Sequence, residues 1–214
     1  KMSDSPVIAF LNKATDLILL NFLWILCSLP VITAGAATAA MYYVCITSIR
    51  CGDGYVAKRF FQSFKQNFRQ ITPLWICILL AVGLLTFDIL FWMKVGTPFA
   101  EAMLLISLIL CFFLYLWMLW LFPVFAKFEA STPELVRNAA RFALGYLPRT
   151  AIVAAFTGFI FYINLKSLIA NSIMLFLGFA LLSYIQSFFF YRAFMNHMDE
   201  RYDDFWKEAS KEEL

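Results

Sequence analysis

Apolar runs of roughly twenty residues, each long enough to cross a bilayer as a helix, alternate with shorter stretches that hold nearly all the charge. The runs fall at about 7–29, 31–49, 73–95, 100–125, 148–164 and 172–194. The pattern predicts an all-α fold: a polytopic transmembrane helix bundle of about six spans, arranged as three hairpins. Basic amphipathic helices are expected to join the hairpins on the cytoplasmic side. The fifth span is the weakest, because Gly158, Asn164 and its short length interrupt it. The tail, 197–214, is charged and reads as an exposed helix that frays.

Asp4-Ser5-Pro6 resembles a polar cap followed by proline in the first helical turn. The stretch from Asn21 to Met41 organises the first hairpin. A bulky apolar helix stops at Pro30, which lacks the N–H that a helix interior needs. The chain is expected to turn near Gly35 and to resume as a helix of small residues. Gly35/Ala39 and Ala36/Ala40 are four apart, the spacing that lets two helix backbones approach closely in lipid.

Residues 50–72 form the first basic connection. Cys51-Gly52-Asp53-Gly54 reads as a turn, and a helical period then sets in. Phe60, Phe61, Phe64, Phe68 and Ile71 fall on one side of the helical wheel, with Lys58, Gln62, Lys65 and Arg69 opposite. Such a helix either lies in the headgroup region or docks under the bundle, and both readings stay open. The second connection, 127–149, starts a short helix at Thr132-Pro133-Glu134 and carries Arg137 and Arg141 four apart. The candidate interface or lipid-binding residues are therefore Lys58, Phe60, Phe61, Phe64, Lys65, Phe68, Arg69, Arg137 and Arg141. Lys65, Arg69 and Pro73 loosely echo Arg137, Arg141 and Pro148, as in a hairpin-plus-linker repeat.

Charge placement sets the expected orientation. The two long connections and the tail carry most of the Lys and Arg, whereas the opposite turns carry only Lys94 and Lys166. Excess Lys and Arg marks the cytoplasmic side. The location expected is a membrane crossed several times, with both termini on the cytoplasmic side. No cleavable signal peptide is expected, since the first apolar run leads straight into the hairpin.

Composition agrees with the pattern. Hydrophobic residues are 63% of 214 and charged residues 14%; mean hydropathy is +0.77. Soluble domains hold about 45–50% apolar and about 25% charged residues. No polar stretch is long enough to enclose a separate core. The net charge of +3 gives no reason to expect nucleic acid as a partner. The five cysteines form no CxxC pair, so they read as small apolar side chains and not as a disulfide or zinc framework.

Candidate chemistry is sparse. A carboxylate inside a membrane is costly enough to be a functional hypothesis, which singles out Asp16 and Asp88. With Asn12 and Asn21 they form the candidate intramembrane polar site. Asp16 is expected to pair with Lys13 or surface cations, and Asp88 with Lys94 or Lys166. Asn12, Asp16 and Asn21 read first as interhelical glue. Trp75, Trp92, Trp117 and Trp120 read as interfacial belt residues ahead of sugar-stacking platforms. His197 is the only histidine, so no Ser/His/Asp set is available. No GxxxxGK[ST] loop occurs. No catalytic residue, metal or cofactor is expected.

Several ordered motifs together carry a resemblance. They are Asp4-Ser5-Pro6, Phe10-Leu11-Asn12-Lys13 with Asp16, and Asn21 through Ala40 around Ser28-Leu29-Pro30-Val31 and Thr33. They continue with residues 60–70 (FFQSFKQNFRQ), residues 122–129 (FPVFAKFE) and Leu147-Pro148-Arg149-Thr150. Over nearly its whole length the chain resembles the YesL-like family of bacterial membrane proteins of unknown function. The resemblance implies a carbohydrate-uptake context, because such proteins are often encoded beside sugar ABC importers and glycan-degrading enzymes. It implies no catalytic residues. The function expected is a non-catalytic accessory subunit or partner of a carbohydrate ABC import system. A self-contained small-solute transporter or channel is the alternative, and a lipid-binding scaffold a third. Expected partners are membrane lipids and the importer's permease subunits, with a second copy of the chain left open.

Overall fold

The computed structural model describes residues 6–49 and 55–194. The Asp4-Ser5 cap, the turn at 51–54 and the tail at 197–214 lie outside the described residues. Among the described residues eight α-helices follow one another: α1 (Pro6–Ser28), α2 (Ala34–Val44), α3 (Val56–Val95), α4 (Pro98–Lys127), α5 (Thr132–Gly145), α6 (Leu147–Lys166), α7 (Leu168–Ile173) and α8 (Phe179–Phe194). A 3₁₀ turn at Val31–Thr33 leads into α2, and π-type turns at Cys45–Ile49 and Met174–Gly178 follow α2 and link α7 to α8. No strand occurs among the described residues.

Among the described residues five helical stretches are long and apolar enough to cross a membrane: Phe10–Ser28, Val56–Val95, Pro98–Lys127, Leu147–Lys166 and Leu168–Phe194. That makes the chain a membrane protein by its architecture. The second of the expected spans is present as the apolar helix Val31–Thr47, which is shorter than the other five.

Two readings of the chain's breaks take their shape from the structure. Pro73, the expected start of the third span, sits inside α3, which is continuous over 40 residues and thus about 60 Å long at about 1.5 Å per residue. Proline removes one backbone donor, and the helix on both sides of it, amphipathic before and apolar after, carries α3 through. Pro148, by contrast, lies in the first turn of α6, where a missing N–H costs nothing. The loose echo between the two connections thus becomes one continuous helix and one broken pair. Gly35, the second case, is inside α2 and not in the turn. The chain reverses at Leu29 and Pro30, where the Thr33 hydroxyl lies against the carbonyls of Cys27 and Pro30. The one described glycine with positive φ is Gly96, at 63°, which caps α3.

The small-residue ladder does pack as expected: Gly35, Ala36, Ala37, Ala39 and Ala40 are all buried. Gly35 meets the first half of α3, while Ala37 and Ala40 cluster with Leu17 and Leu20 of α1 as well as Val56 and Phe60 of α3. Trp75 Nε1 donates to the Val31 carbonyl at 2.8 Å, and a Cβ on Gly35 would lie 2.7 Å from Trp75 Cγ. At the other end of α2, Val44 and Cys45 share a cluster with Val56 and Phe60. The α1–α2 hairpin therefore lies beside the first half of α3, with Trp75 against Gly35. Beyond it α3 runs on for about 20 residues, or about 30 Å, paired with α4 as a projecting arm. Leu80, Leu84, Phe87 and Met93 on that arm are exposed.

The core centres on Trp120, which is fully buried. Its ring stacks on Phe142 at 5.5 Å and meets Phe190 edge-on at 4.8 Å. Its Nε1 donates to Thr150 Oγ1 at 2.8 Å. This places the start of α6 beside the last two turns of α4, so Lys127, Arg137, Arg141 and Arg149 gather at one end. Lys94 and Lys166, at the far ends of α3 and α6, stand at the other.

Candidate functional site

The four polar residues singled out within the spans do not converge. Asn12 is exposed and Asp16 half-buried on α1. Lys13 sits 5.4 Å from the Tyr184 ring centroid, as a cation over an aromatic face. Asn21 is fully buried. Its Nδ2 donates to the Leu175 carbonyl at 2.6 Å and its Oδ1 accepts from the Ala180 N–H at 3.0 Å. Those two backbone groups are five residues apart across the π-type turn, the spacing at which regular α-helical bonding is disturbed. One carboxamide thus serves both of them and ties α1 to α8.

Asp88 is held by protein donors other than Lys94 or Lys166. Trp92 Nε1 donates to its Oδ1 at 2.9 Å, and the Ser107 hydroxyl donates to its Oδ2. The carboxylate joins α3 to α4 within the arm. The other tryptophans are spent in the same way. Trp75 bonds Val31, Trp117 Nε1 donates to the Val136 carbonyl at 3.3 Å, and Trp120 bonds Thr150. An indole packed between helices needs a partner for its one polar atom, and these three rings each bond a group from another element.

A buried polar chain escaped the sequence reading. The Tyr42 hydroxyl donates to Gln186 Oε1, and Gln186 Nε2 donates to Thr157 Oγ1 at 2.7 Å. It links α2, α8 and α6. The available signal was single polar residues inside otherwise apolar runs.

The amphipathic half of α3 is docked. Phe60 is fully buried, and Phe64 and Phe68 pack against the core. Phe60 is therefore unavailable to lipid or a partner, because α2 occupies that face. Phe61, Lys58, Lys65 and Arg69 are exposed, as are Arg137 and Arg141 on α5. At the start of α5 the Ser131 hydroxyl and backbone N–H both donate to Glu134 Oε2, at 2.7 and 3.1 Å. These bonds hold the Glu134 carboxyl below the usual glutamate range.

The opposite face of the same half-helix borders the site. A cavity of about 360 Å³ lies between α3 and the end of α4. One wall is Arg59, Gln62, Ser63, Gln66, Asn67 and Gln70; the other is the run from Phe125 to Ala130, with Tyr43 of α2 closing one side. Gln66 Nε2 donates to Glu129 Oε1 at 3.0 Å, and Gln70 Nε2 to the Ala130 carbonyl at 2.7 Å. These bonds pin the 128–131 connection across α3. Lys127 is buried, with its Nζ 5.6 Å from the Tyr191 ring. Two of the motifs that carry the family resemblance thus face each other across one cavity. Neither Asp16 nor Asp88 lines it. Its chemistry is binding: two cations, one carboxylate and several carboxamides. No three His, Cys, Asp or Glu side chains group as metal ligands among the described residues.

Residues 17–89 match the model of a family described as a protein of unknown function, DUF624. The match covers about a third of the chain and includes the α3 wall of the cavity but not the α4 wall. Comparison with curated proteins and with solved structures gives no match.

Proposed function

We propose that this chain is a YesL-like, non-catalytic membrane subunit that works as a partner of a carbohydrate ABC import system in a bacterial cytoplasmic membrane. What supports this reading is the use the fold makes of its buried and half-buried polar groups. Asn21, Asp88, Gln186 and Thr150 each bind another helix or its side chains, which builds a packed scaffold and not a solute path. The resemblance supplies the import context. Contact with a permease subunit is assigned to the projecting α3–α4 arm, whose Leu80, Leu84 and Phe87 are exposed, with Arg137 and Arg141 as a basic rim.

The basic end of the bundle is the cytoplasmic one in this proposal. Single cysteines replacing Lys94 and Arg141 should label from opposite sides of the membrane, and labelling from one side removes the topology. Gentle purification from the native host should retain permease subunits. Leu84→Asn with Phe87→Asn should release them while the bundle stays folded; retention of no importer subunit by the unaltered chain overturns the reading.

A further inference from the structure

We propose that the basic surface formed by α5 and the start of α6 is a docking site for the chain's own acidic segment, 197–214. This goes beyond the partner reading and does not depend on it. The segment holds seven of the fourteen acidic residues against three of the seventeen basic ones, so it is net −4 while the rest of the chain is net +7. Surfaces of opposite charge select each other as partners. The described residues end at Phe194, whose ring is 5.2 Å from that of Phe142 on α5. One residue earlier, the Ala193 carbonyl accepts from the Tyr146 hydroxyl at 3.4 Å. The segment therefore starts beside the surface assigned to it, and a short tether of that kind sets an effective concentration of about millimolar.

The surface offers both charge and apolar contact. Arg137 and Arg141 are exposed and four apart, so they share one face of α5. Glu134, the one carboxylate on α5, is already bonded by Ser131, and Arg141 Nη1 meets the Asn138 side chain at a long 3.5 Å. At the start of α6 the Arg149 guanidinium lies 5.0 Å from the Tyr146 ring centroid. Its Nη1 is buried and has no hydrogen-bond partner among the described residues. A buried donor left without an acceptor is costly, and a carboxylate is the acceptor that a guanidinium binds best. Between the arginines, Leu144 and Leu147 are exposed.

The segment carries the complementary pattern. Glu200, Asp204, Glu208 and Glu212 recur every fourth residue, and Met198, Tyr202, Phe205 and Ala209 follow at steps of four, three and four. On the helix that the sequence predicts there, the first set makes an acidic row and the second an apolar stripe. α5 is 14 residues long, or about 21 Å at about 1.5 Å per residue. A helix over 197–214 is about 27 Å long by the same rise and covers it. A single exposed ion pair contributes little, so the row, the stripe and the tether act together.

The test uses the full chain in an uncharged detergent, with Trp206→benzoylphenylalanine as a photo-cross-linker next to the apolar stripe. Illumination should join position 206 to peptides from 137–149 of the same chain, as mapped by mass spectrometry. Raising the salt from about 0.1 to about 1 M shortens the Debye length from about 10 to about 3 Å and should lower the yield severalfold. Arg137→Gln with Arg141→Gln should lower it by about threefold or more, while Lys65→Gln on α3 should leave it within about 1.5-fold. Both arginines are exposed, so these changes leave the fold intact. Arg137→Glu with Arg141→Glu should abolish the cross-link, and adding Asp204→Lys with Glu208→Lys should restore it. Absence of any cross-link to 137–149 overturns the site, as does an equal loss in Lys65→Gln, which would mean diffuse charge. Cross-links between two chains make a second copy the occupant. Loss of the contact in phosphatidylglycerol vesicles but not in phosphatidylcholine vesicles makes anionic lipid the occupant. Either result overturns the self-docking. None of these outcomes touches co-purification with an importer.

Discussion

Gly35 and Trp75 are in contact so close that no side chain fits between them: a Cβ on Gly35 would lie 2.7 Å from Trp75 Cγ and 2.8 Å from its Cβ. The atoms in the way are the root of a tryptophan whose indole is tied to Val31, so the neighbour cannot swing aside. This contact decides how deeply the first hairpin seats against α3.

Gly35→Ala should therefore destabilise the protein. Alanine gains about 1 kcal/mol of helix propensity over glycine, but overpacking costs about 1–3 kcal/mol, and the separation is short enough for the clash to win. A lowered midpoint in thermal unfolding of the detergent-solubilised chain is the expected result. An unchanged or higher midpoint would show that α2 and α3 separate at no cost.

Asn21→Leu is isosteric enough to fill its space and yet strips a partner from both Leu175 and Ala180. Depriving buried polar groups costs about 1–3 kcal/mol. The loss should appear locally, as faster hydrogen exchange through 174–180, with α3 and α4 unaffected. Uniform exchange across the bundle would contradict the assignment of Asn21 to the π-type turn.

Tyr42 and Gln186 should be coupled. Gln186→Leu leaves the Tyr42 hydroxyl short of its acceptor, and Tyr42→Phe leaves Gln186 short of a donor, each at about 1–3 kcal/mol. Together the two changes remove both partners, so the double variant should be less destabilised than the sum by about 0.5–3 kcal/mol. Additive losses in urea unfolding would break the chain of bonds proposed across α2, α8 and α6.

Glu134 gives a pH signature at the start of α5. Its carboxyl is held below the usual glutamate range by the Ser131 hydroxyl and backbone N–H. A depressed folded value contributes stability above the unfolded value, and that stability is lost as pH falls through the folded one. The protection of amides 132–136, taken relative to their intrinsic exchange at each pH, should fall as the medium is acidified through that window. Glu134→Gln should flatten the dependence; persistence of the full dependence in that variant would assign it elsewhere.

Much of this architecture is legible in the residues themselves. Apolar runs of such length force helices, because in lipid a helix satisfies its own backbone, and the Gly35–Ala40 ladder announces a close helix contact. The direction in which charge divides between the ends is legible too, since Lys94 and Lys166 stand apart from the rest. The Phe60, Phe64 and Phe68 face was visible as a face, though not which surface it meets.

Tertiary packing decided the rest. An all-round apolar helix has no 3.6-residue contrast to show which side faces its neighbour, so nothing local revealed that α2 seats on the first half of α3. Pro73 reads as a boundary in isolation, yet helical residues on both sides of it carry α3 through. Asn21 finds its partners more than 150 residues away. The cavity joins 59–70 to 125–130, two stretches that become one site only because α3 and α4 fold back on each other. Local sequence sets what each segment can be, and only the packed bundle selects which polar atoms meet.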